Sequence, residues 1–284
     1  MITVTTRAEL RREIDLARGE GLRIGFVPTL GFLHEGHLSL VDRALAAADR
    51  VVLSVFLNPL QFAPGEDLAQ YPRDIDRDMR MAEARGVDLL FVPDRNEMLP
   101  IEPAIFVDAP ILAGRLCGAF RPGHFRGVLT IVARLFHLVR PDVAVFGQKD
   151  YQQLTLIRRM VRDLDVPVEI VAGPVVREAD GLALSSRNVY LATAERADAV
   201  LLHAALVAAQ HAFAAGTRDA ARLIGVARET IARGATIRPQ YIELVAPDTL
   251  DAVTQARGGD VIAIAAHVGG TRLIDNHVLT ETAV

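Results

Sequence analysis

The stretch "PTLGFLHEGHLSL" at residues 28–40 decides the fold prediction, because a strand pattern gives way to a helix pattern within it. The residues that lead into it are nearly all apolar, which is typical of a strand covered on both faces of a parallel sheet. Gly36 lies between His34 and His37 and removes a side chain next to the backbone. A helix that begins here offers unpaired N–H groups and the positive end of its dipole, which together suit an anion.

Short apolar runs alternate with longer helical segments over the first part of the chain. Strands are predicted at 22–29, 50–57, 87–92, 142–146 and 166–171, and helices near 6–18, 37–48, 73–85, 126–139 and 151–164. "TRAEL" opens the first helix with a capping-box pattern. This alternation predicts the α/β class, with a doubly wound, Rossmann-like parallel sheet and right-handed crossovers.

The character of the chain changes near residue 175. Two Ala-rich helical segments come first, and three strand-like runs follow, the last two joined by Gly-Gly, which favours a hairpin. We therefore predict two domains, a Rossmann-like domain at 1–175 and a smaller C-terminal α+β domain at 176–284.

Composition narrows the class of protein. The chain has 284 residues, of which 51% are hydrophobic and 23% charged, as in globular proteins. A net charge of −4 gives no case for a nucleic-acid partner. The opening residues show no signal-peptide pattern, the apolar runs are short for a membrane span, and the single Cys117 excludes an internal disulfide. These features predict a cytoplasmic protein.

Three interpretations of the histidine pair compete. Residues three apart on a helix are neighbours, so both imidazoles could donate hydrogen bonds to one phosphate. The sequence "HEGH" is one residue short of a zinc signature, and no third ligand is evident. The pair could also simply cap the helix. We favour phosphate contact over a metal site or a structural cap.

Lys149 is the only lysine among 31 basic residues. Lysine is a compact point charge that suits a single phosphate oxygen, whereas arginine presents a flat fork. Chance drift in composition could also leave one lysine. The neighbourhood "GQKD" at 147–150 favours a function, because it directly follows a predicted strand, and open parallel sheets bind ligands beyond the carboxyl ends of their strands.

Six motifs in order carry a resemblance to a known family. They are "PTLGFLHEGHLSL", "VFLNPLQF", "YPRD", "RPGHFRGV", "VFGQKDYQQL" and "LALSSRNVYL". Together they resemble the pantoate–β-alanine ligase (pantothenate synthetase) family, within the HIGH-motif nucleotidyltransferase superfamily. The resemblance implies an ATP-dependent condensation of pantoate with β-alanine through pantoyl adenylate, with Mg²⁺ as cofactor, and a homodimer. The family usually has methionine at position 30, and leucine conserves its size.

The resemblance also implies roles for particular residues. His37, His34, Lys149 and Arg187 would be catalytic, and Gln61 and Gln153 would bind pantoate or β-alanine. ATP would contact Leu30, Gly31, Phe32, Leu33, His34, Glu35, Gly36, His37, Gly147, Gln148, Lys149, Asp150, Val176, Leu184, Ser185, Ser186 and Arg187. No residue is implied as a metal ligand.

Several of these residues have plainer interpretations. Asp150 could be a helix N-cap, the glutamines could be ordinary surface residues, and Asn58 could be a turn residue. Asp74, Asp76 and Asp78 could help to hold Mg²⁺, but we favour a solvated helix start. His124 and Arg126 could border the substrates or only begin a helix.

Two other functions stay open at this stage. The chain could adenylylate a phosphate-bearing substrate, although such a site would need more cations than two glutamines provide. It could also be a nucleotide sensor without catalysis, although a sensor would not need to keep leaving-group contacts. Because acyl adenylates hydrolyse readily, a second domain that closes over the strand ends, with a hinge near 173–181, would exclude water.

Overall fold

The computed structural model describes residues 1–99, 101 and 103–282 and divides into two compact units. The first unit comprises Met1–Ala113, Arg121–Gln148 and Leu156–Pro174, and the second comprises Gly114–Phe120, Lys149–Thr155 and Val175–Val284. The second unit thus takes two short segments from the first 175 residues. The predicted division into domains 1–175 and 176–284 stays a prediction.

The first unit is built on a six-stranded sheet. Its strands are β1 (Ile2–Val4), β2 (Ile24–Thr29), β3 (Arg50–Val55), β4 (Leu89–Phe91), β5 (Val143–Gly147) and β6 (Glu169–Gly173). They lie in the order β1-β4-β3-β2-β5-β6, and each neighbouring pair is parallel. The predicted doubly wound α/β fold is confirmed, and the edge strand β1 is an addition to the predicted strands.

Eight helices are described up to residue 163, and the five long ones match the five predicted. They are α1 (Arg7–Gly19), α2 (Glu35–Ala47), α3 (Ile75–Ala84), α4 (Arg95–Met98), α5 (Pro110–Ala113), α6 (Leu116–Phe120), α7 (His124–Val139) and α8 (Tyr151–Asp163). The capping box of α1 is confirmed, because the Thr6 hydroxyl accepts from Glu9 N at 3.2 Å and the Glu9 carboxylate accepts from Thr6 N at 3.0 Å. The short α4, α5 and α6 were not predicted.

One core cluster of the first unit fixes the helix that follows β2. Leu40, Val41 and Ala44 of α2 pack with apolar residues of β2, β3 and β5, among them Val27 and Val145. These side chains recur at helical spacing along α2, so the helix buries one face and exposes the other. Burial of this face holds the first turn of α2 at the carboxyl end of β2.

The second unit combines three helices with an antiparallel sheet. Its further elements are α9 (Thr193–Ala199), α10 (Leu201–Ala214), α11 (Ala220–Ile231), β7 (Ile237–Val245), β8 (Val261–Val268) and β9 (Thr271–Val278), with strand order β7-β8-β9. This confirms the predicted helix pair and small antiparallel sheet. Leu202, Leu206 and Phe213 of α10 are buried in the core with Ile262 and Ile264 of β8.

Within the part of the chain that the structure describes, one helical stretch, Thr193–Ala214, is long and apolar enough to cross a membrane. Its most apolar window has a mean hydropathy of 1.3 and is 39% buried. A core helix meets the same criterion, and the buried face of α10 lies in the core of the second unit. The stretch is therefore weak evidence for a membrane span.

Candidate active site

The sheet of the first unit brings several predicted site residues to one edge. The chain winds from β2 to β3 on one side and resumes at β5 on the other, so a topological switch lies between β2 and β5. Ligands of open α/β sheets bind beyond the carboxyl ends of the strands at such a switch. The residues 30–37 follow β2, and Gly147 ends β5 with Gln148 directly after it.

His34 and His37 form a stacked pair at the start of α2. His34 is the N-cap, with extended backbone at φ −144° and ψ 173°. The two rings lie with centroids 4.0 Å apart and planes inclined by 28°. The His34 backbone N–H donates to His37 Nδ1 at 3.3 Å. Because Nδ1 accepts this bond, the neutral His37 ring carries its proton on Nε2, and that atom is a hydrogen-bond donor.

The backbone N–H groups of the preceding loop are occupied within the protein. Gly31 N donates to Thr29 Oγ1 at 3.2 Å, and the N–H groups of Phe32 and Leu33 both donate to the Asp78 carboxylate at 2.7 Å. A phosphate at this edge would therefore meet the first turn of α2 and its histidines, and not these three N–H groups. The implied contacts of residues 31–33 with ATP stay predictions.

Gln61 is held by Asn58 in a short 3₁₀ turn. Asn58 is 1% exposed, and its Nδ2 donates to Gln61 Oε1 at 2.9 Å and to the Gly127 carbonyl at 3.1 Å. Its Oδ1 accepts from Leu60 N at 3.1 Å, so this amide uses its donors and its acceptor. With Oε1 engaged, Gln61 presents its Nε2 group as a donor. Asn58 is thus a supporting residue of this turn, as expected from its place before Pro59.

A second network holds the backbone of Gln61. Its carbonyl lies 2.7 Å from His124 Nδ1 and accepts from Arg121 Nη2 at 3.3 Å. Arg121 also makes a two-bond ion pair with Glu66, at 2.7 and 2.6 Å. Burial raises the pKa of Glu66, but the hydrogen bonds and charge of Arg121 outweigh it, so the pKa lies below the ordinary value. His124 therefore positions the backbone of Gln61, which is predicted to bind substrate, and it also begins α7.

The acids near residue 76 have structural roles in the first unit. The Asp74 carboxylate caps α3 by accepting from Arg77 N at 3.0 Å, and Asp78 is buried beneath the loop. Among the described residues, no group of three or more His, Cys, Asp or Glu could hold a metal ion. Asp74 and Asp76 are exposed, as the solvated-helix interpretation expects, whereas Asp78 is 1% exposed and contradicts it.

The second unit contains Lys149, Asp150 and Gln153. Lys149 and Asp150 lie in a 3₁₀ turn that leads into α8, and Gln153 lies in the first turn of that helix. The backbone carbonyl of Lys149 accepts from Asn276 Nδ2 at 2.9 Å. In the same turn of α8, Gln152 Nε2 donates to the Arg115 carbonyl at 2.7 Å. The backbone that carries Lys149 is therefore fixed by a side chain from β9.

The segment from 176 to 188 folds back on itself within the second unit. Leu184 N donates to the Val176 carbonyl at 3.0 Å, and a single antiparallel bridge joins Arg177 to Ala183. Arg177 pairs with the buried Asp275 at 2.6 and 3.0 Å. Beyond it, Ser185 Oγ accepts from Arg187 N at 3.2 Å, which starts a 3₁₀ turn. Hydrogen bonds and an ion pair within the second unit thus hold this segment.

The first unit has a doubly wound α/β fold of the nucleotide-binding type, with stacked histidines on the helix that follows its central strand. A model of the pantoate-beta-alanine ligase family matches residues 2–278. The chain therefore belongs to the pantoate-beta-alanine ligase family.

Individual relatives agree over nearly the whole chain. It is 54% identical to "Pantothenate synthetase" of Heliobacterium modesticaldum over 260 residues, covering 92% of each chain. It is 52% identical to "Pantothenate synthetase 1" of Bradyrhizobium diazoefficiens over 281 residues, covering 99% of each.

Solved structures show the same fold. The crystal structure of pantothenate synthetase from Thermus thermophilus has a TM-score of 0.91 at 47% identity, covering 98% of this chain and 99% of that one. A pantoate-beta-alanine ligase from Francisella tularensis, complexed with Beta-gamma ATP and Beta-alanine, has a TM-score of 0.79 at 30% identity, covering 98% of this chain and 97% of that one.

Proposed function

We propose that the chain uses ATP to condense pantoate with β-alanine, giving pantothenate, AMP and pyrophosphate through pantoyl adenylate. The family match carries this proposal, because it extends over residues 2–278 and so covers most of both compact units. The Beta-gamma ATP and Beta-alanine bound to the Francisella tularensis ligase support the choice of substrates.

In the first step a pantoate carboxylate oxygen attacks the α-phosphorus of ATP, and the bond to the β,γ-pyrophosphate breaks. In the second step the amine nitrogen of β-alanine attacks the acyl carbon, AMP leaves with the electron pair, and the amine proton passes to solvent. No enzyme nucleophile is needed, so catalysis depends on positioning and on offsetting charge on the departing phosphates.

We assign the departing phosphates to the histidine pair. The stacked arrangement places two imidazoles at the start of α2, where the positive end of the helix dipole also favours an anion. His37 Nε2 is the donor atom, because the His34 backbone occupies Nδ1. Donors fixed in place before reaction stabilise developing charge without reorganisation.

The remaining residues have proposed roles on the nucleotide and the acids. Lys149 would bind phosphate oxygens as a point charge, and Arg187 as a fork. Gln61 would donate from Nε2 to pantoate, and Gln153 would bind pantoate or β-alanine. The nucleotide would also contact residues 30–36, Gly147, Gln148, Asp150, Val176, Leu184, Ser185 and Ser186.

We further propose Mg²⁺ dependence, a cytoplasmic location and a homodimer. Mg²⁺ keeps water ligands readily and binds mainly through substrate phosphates, which fits the lack of a metal-ligand cluster among the described residues. When bound, the ion would neutralise phosphate charge and leave the protein residues to orient the reactants.

Isotope exchange between pyrophosphate and ATP tests this function. We expect exchange only when pantoate is present, and pantothenate only when β-alanine is then added. His37→Ala should lower exchange by about 10²-fold, the typical effect of removing one charge-stabilising donor. His137→Ala is the matched control, because His137 is exposed on α7 and its Nδ1 lies 2.7 Å from the Ala133 carbonyl of the same helix. Exchange that ignores pantoate would refute the proposal, and recovery of His37→Ala by zinc would refute the phosphate role.

A further inference from the structure

Asp78 is a buried carboxylate that binds the loop before the histidine pair. It lies on α3, is 1% exposed, and accepts from Leu33 N through Oδ1 and from Phe32 N through Oδ2, both at 2.7 Å. The neighbouring Arg77 donates from Nη1 to the Leu33 carbonyl at 2.8 Å and lies over the Phe32 ring, 5.2 Å from its centroid. One end of α3 therefore binds two N–H groups and one carbonyl of the same loop.

The loop needs this support because its backbone is strained. Gly31 has φ +88° and Phe32 has φ +52°, so two successive residues are left-handed. For a residue with a side chain this conformation is unfavourable. A Cβ on residue 31 would lie 2.8 Å from Val55 Cγ1 and 3.2 Å from Asp78 Oδ2, so only glycine fits there. Strain of this kind persists only where surrounding contacts hold it.

The charge of Asp78 is unsuited to binding ATP directly. A carboxylate beneath a phosphate site would repel the phosphates. Asp78 therefore acts by holding the loop backbone in place and not by contacting ATP. Only a carboxylate offers two acceptor oxygens and no donor, which two converging N–H groups require. Burial raises the pKa of Asp78, and the hydrogen bonds from Leu33 and Phe32 act in the opposite direction. Burial of this carboxylate is unfavourable, and its two hydrogen bonds to the loop offset that cost.

We propose that Asp78 is a positioning residue for adenylate formation, which fixes residues 31–33 and through them the orientation of His34 and the first turn of α2. This inference rests on the proposed function. It predicts that loss of Asp78 damages the step in which pyrophosphate departs more than the step in which β-alanine attacks.

Asp78→Asn tests the inference with little change in shape. The amide keeps one acceptor but turns a donor towards the second N–H group. We expect pantoate-dependent exchange to fall by about 10²-fold in kcat, the effect of misplacing reacting groups by roughly 1 Å. Conversion of supplied pantoyl adenylate and β-alanine to pantothenate should change less than about threefold, because pyrophosphate takes no part in it.

Asp74→Ala is the matched control on the same helix. It removes the α3 cap without removing a bond to the loop. Both half-reactions should stay within about threefold of wild type. If Asp78→Asn lowers both half-reactions by one factor, or neither, the inference is overturned. If wild type itself shows no pantoate-dependent exchange, the proposed function fails instead.

Arg77→Gln decides the question if Asp78→Asn does not fold. Arg77 is partly exposed, and its loss frees the Leu33 carbonyl while the Asp78 bonds remain. A selective fall in exchange of about tenfold would support the inference. Equal effects on the two half-reactions, or unchanged exchange, would overturn it.

Discussion

Gly127→Ala should separate the Gln61 turn from α7. A Cβ at residue 127 would lie 2.1 Å from the Leu60 carbonyl oxygen, 2.3 Å from its carbon and 2.7 Å from Gln61 N. Ordinary contacts begin at 3.4 Å, so the oxygen contact is 1.3 Å too short. All three atoms belong to backbone, so a side-chain rotation cannot relieve the clash, and the turn or the helix must move.

The size of the effect follows from the bonds that this movement breaks. Asn58 Nδ2 donates to the Gly127 carbonyl at 3.1 Å, so a shift of about 1 Å breaks a buried hydrogen bond. An unsatisfied buried group costs about 1–3 kcal/mol, and overpacking costs about 1–3 kcal/mol more. We therefore expect a loss of about 2–6 kcal/mol in the free energy of unfolding. For a chain of this size that lowers the Tm by about 4–12 °C.

If Gln61 binds pantoate, as proposed, the same movement should weaken that binding. Loss of about one hydrogen bond raises the KM for pantoate roughly tenfold. Thermal unfolding and steady-state kinetics measure the two effects. Gly225→Ala is the matched control, because Gly225 lies within α11 and a Cβ there meets nothing within 4 Å. Alanine favours a helix by up to about 1 kcal/mol over glycine, so this variant should melt no lower than wild type. A Gly127→Ala protein with wild-type Tm and KM would refute the reasoning.

Two further predictions concern acid stability. The pKa of Glu66 lies below its usual 4.5 despite the opposing effect of burial. Its ion pair with Arg121 therefore stabilises the fold above about pH 4.5. This stabilisation is lost as pH falls through the lowered pKa. Glu66→Gln should therefore lose less stability than wild type between pH values of about 5 and 3 in urea unfolding, and an equal loss would contradict this role. Burial, followed by the charge of Arg177, lowers the pKa of His277 below 6.5. As pH falls below about 6.5, His277 therefore becomes protonated in the unfolded chain while it is still neutral in the folded protein. The folded protein then loses stability as pH drops. His277→Asn should lose less stability than wild type between pH values of about 7.5 and 5.5, and a steeper loss would count against a buried neutral imidazole.

The long elements were predictable because they carry periodic burial over many residues. Helix α7 buries ten of its 16 residues, and such a pattern is visible in sequence. Strand β1 was missed because it has three residues at a sheet edge, with only Val4 buried. The short helices between residues 95 and 120 were missed for a similar reason, since four or five residues give too little periodicity.

In the candidate site, too, a residue could be predicted when its neighbours in the sequence define its role, and could not when its partners lie far away in the chain. The helix start at His34 could be predicted from adjacent residues, and the resemblance supplied expected roles for Lys149 and Gln61. The function of Asp78 could not be predicted, because a favourable interaction with the helix dipole is a sufficient reason for an acid in the first turn of a helix. Its partners lie 45 and 46 residues earlier in the chain. Gly127 was missed similarly, because the backbone that excludes a side chain there comes from Leu60 and Gln61.

The strand order has a consequence for synthesis on the ribosome. Strand β2 ends at residue 29, and its partner β5 ends at residue 147, so 118 residues are made between them. At about 5–20 residues per second this takes roughly 6–24 s. During that interval β2, β3 and β4 can pair. The edge of β2 that later pairs with β5 has no neighbour, so its backbone N–H and C=O groups stay unpaired. Open edges recruit other chains, so the nascent protein should need a chaperone most before β5 emerges.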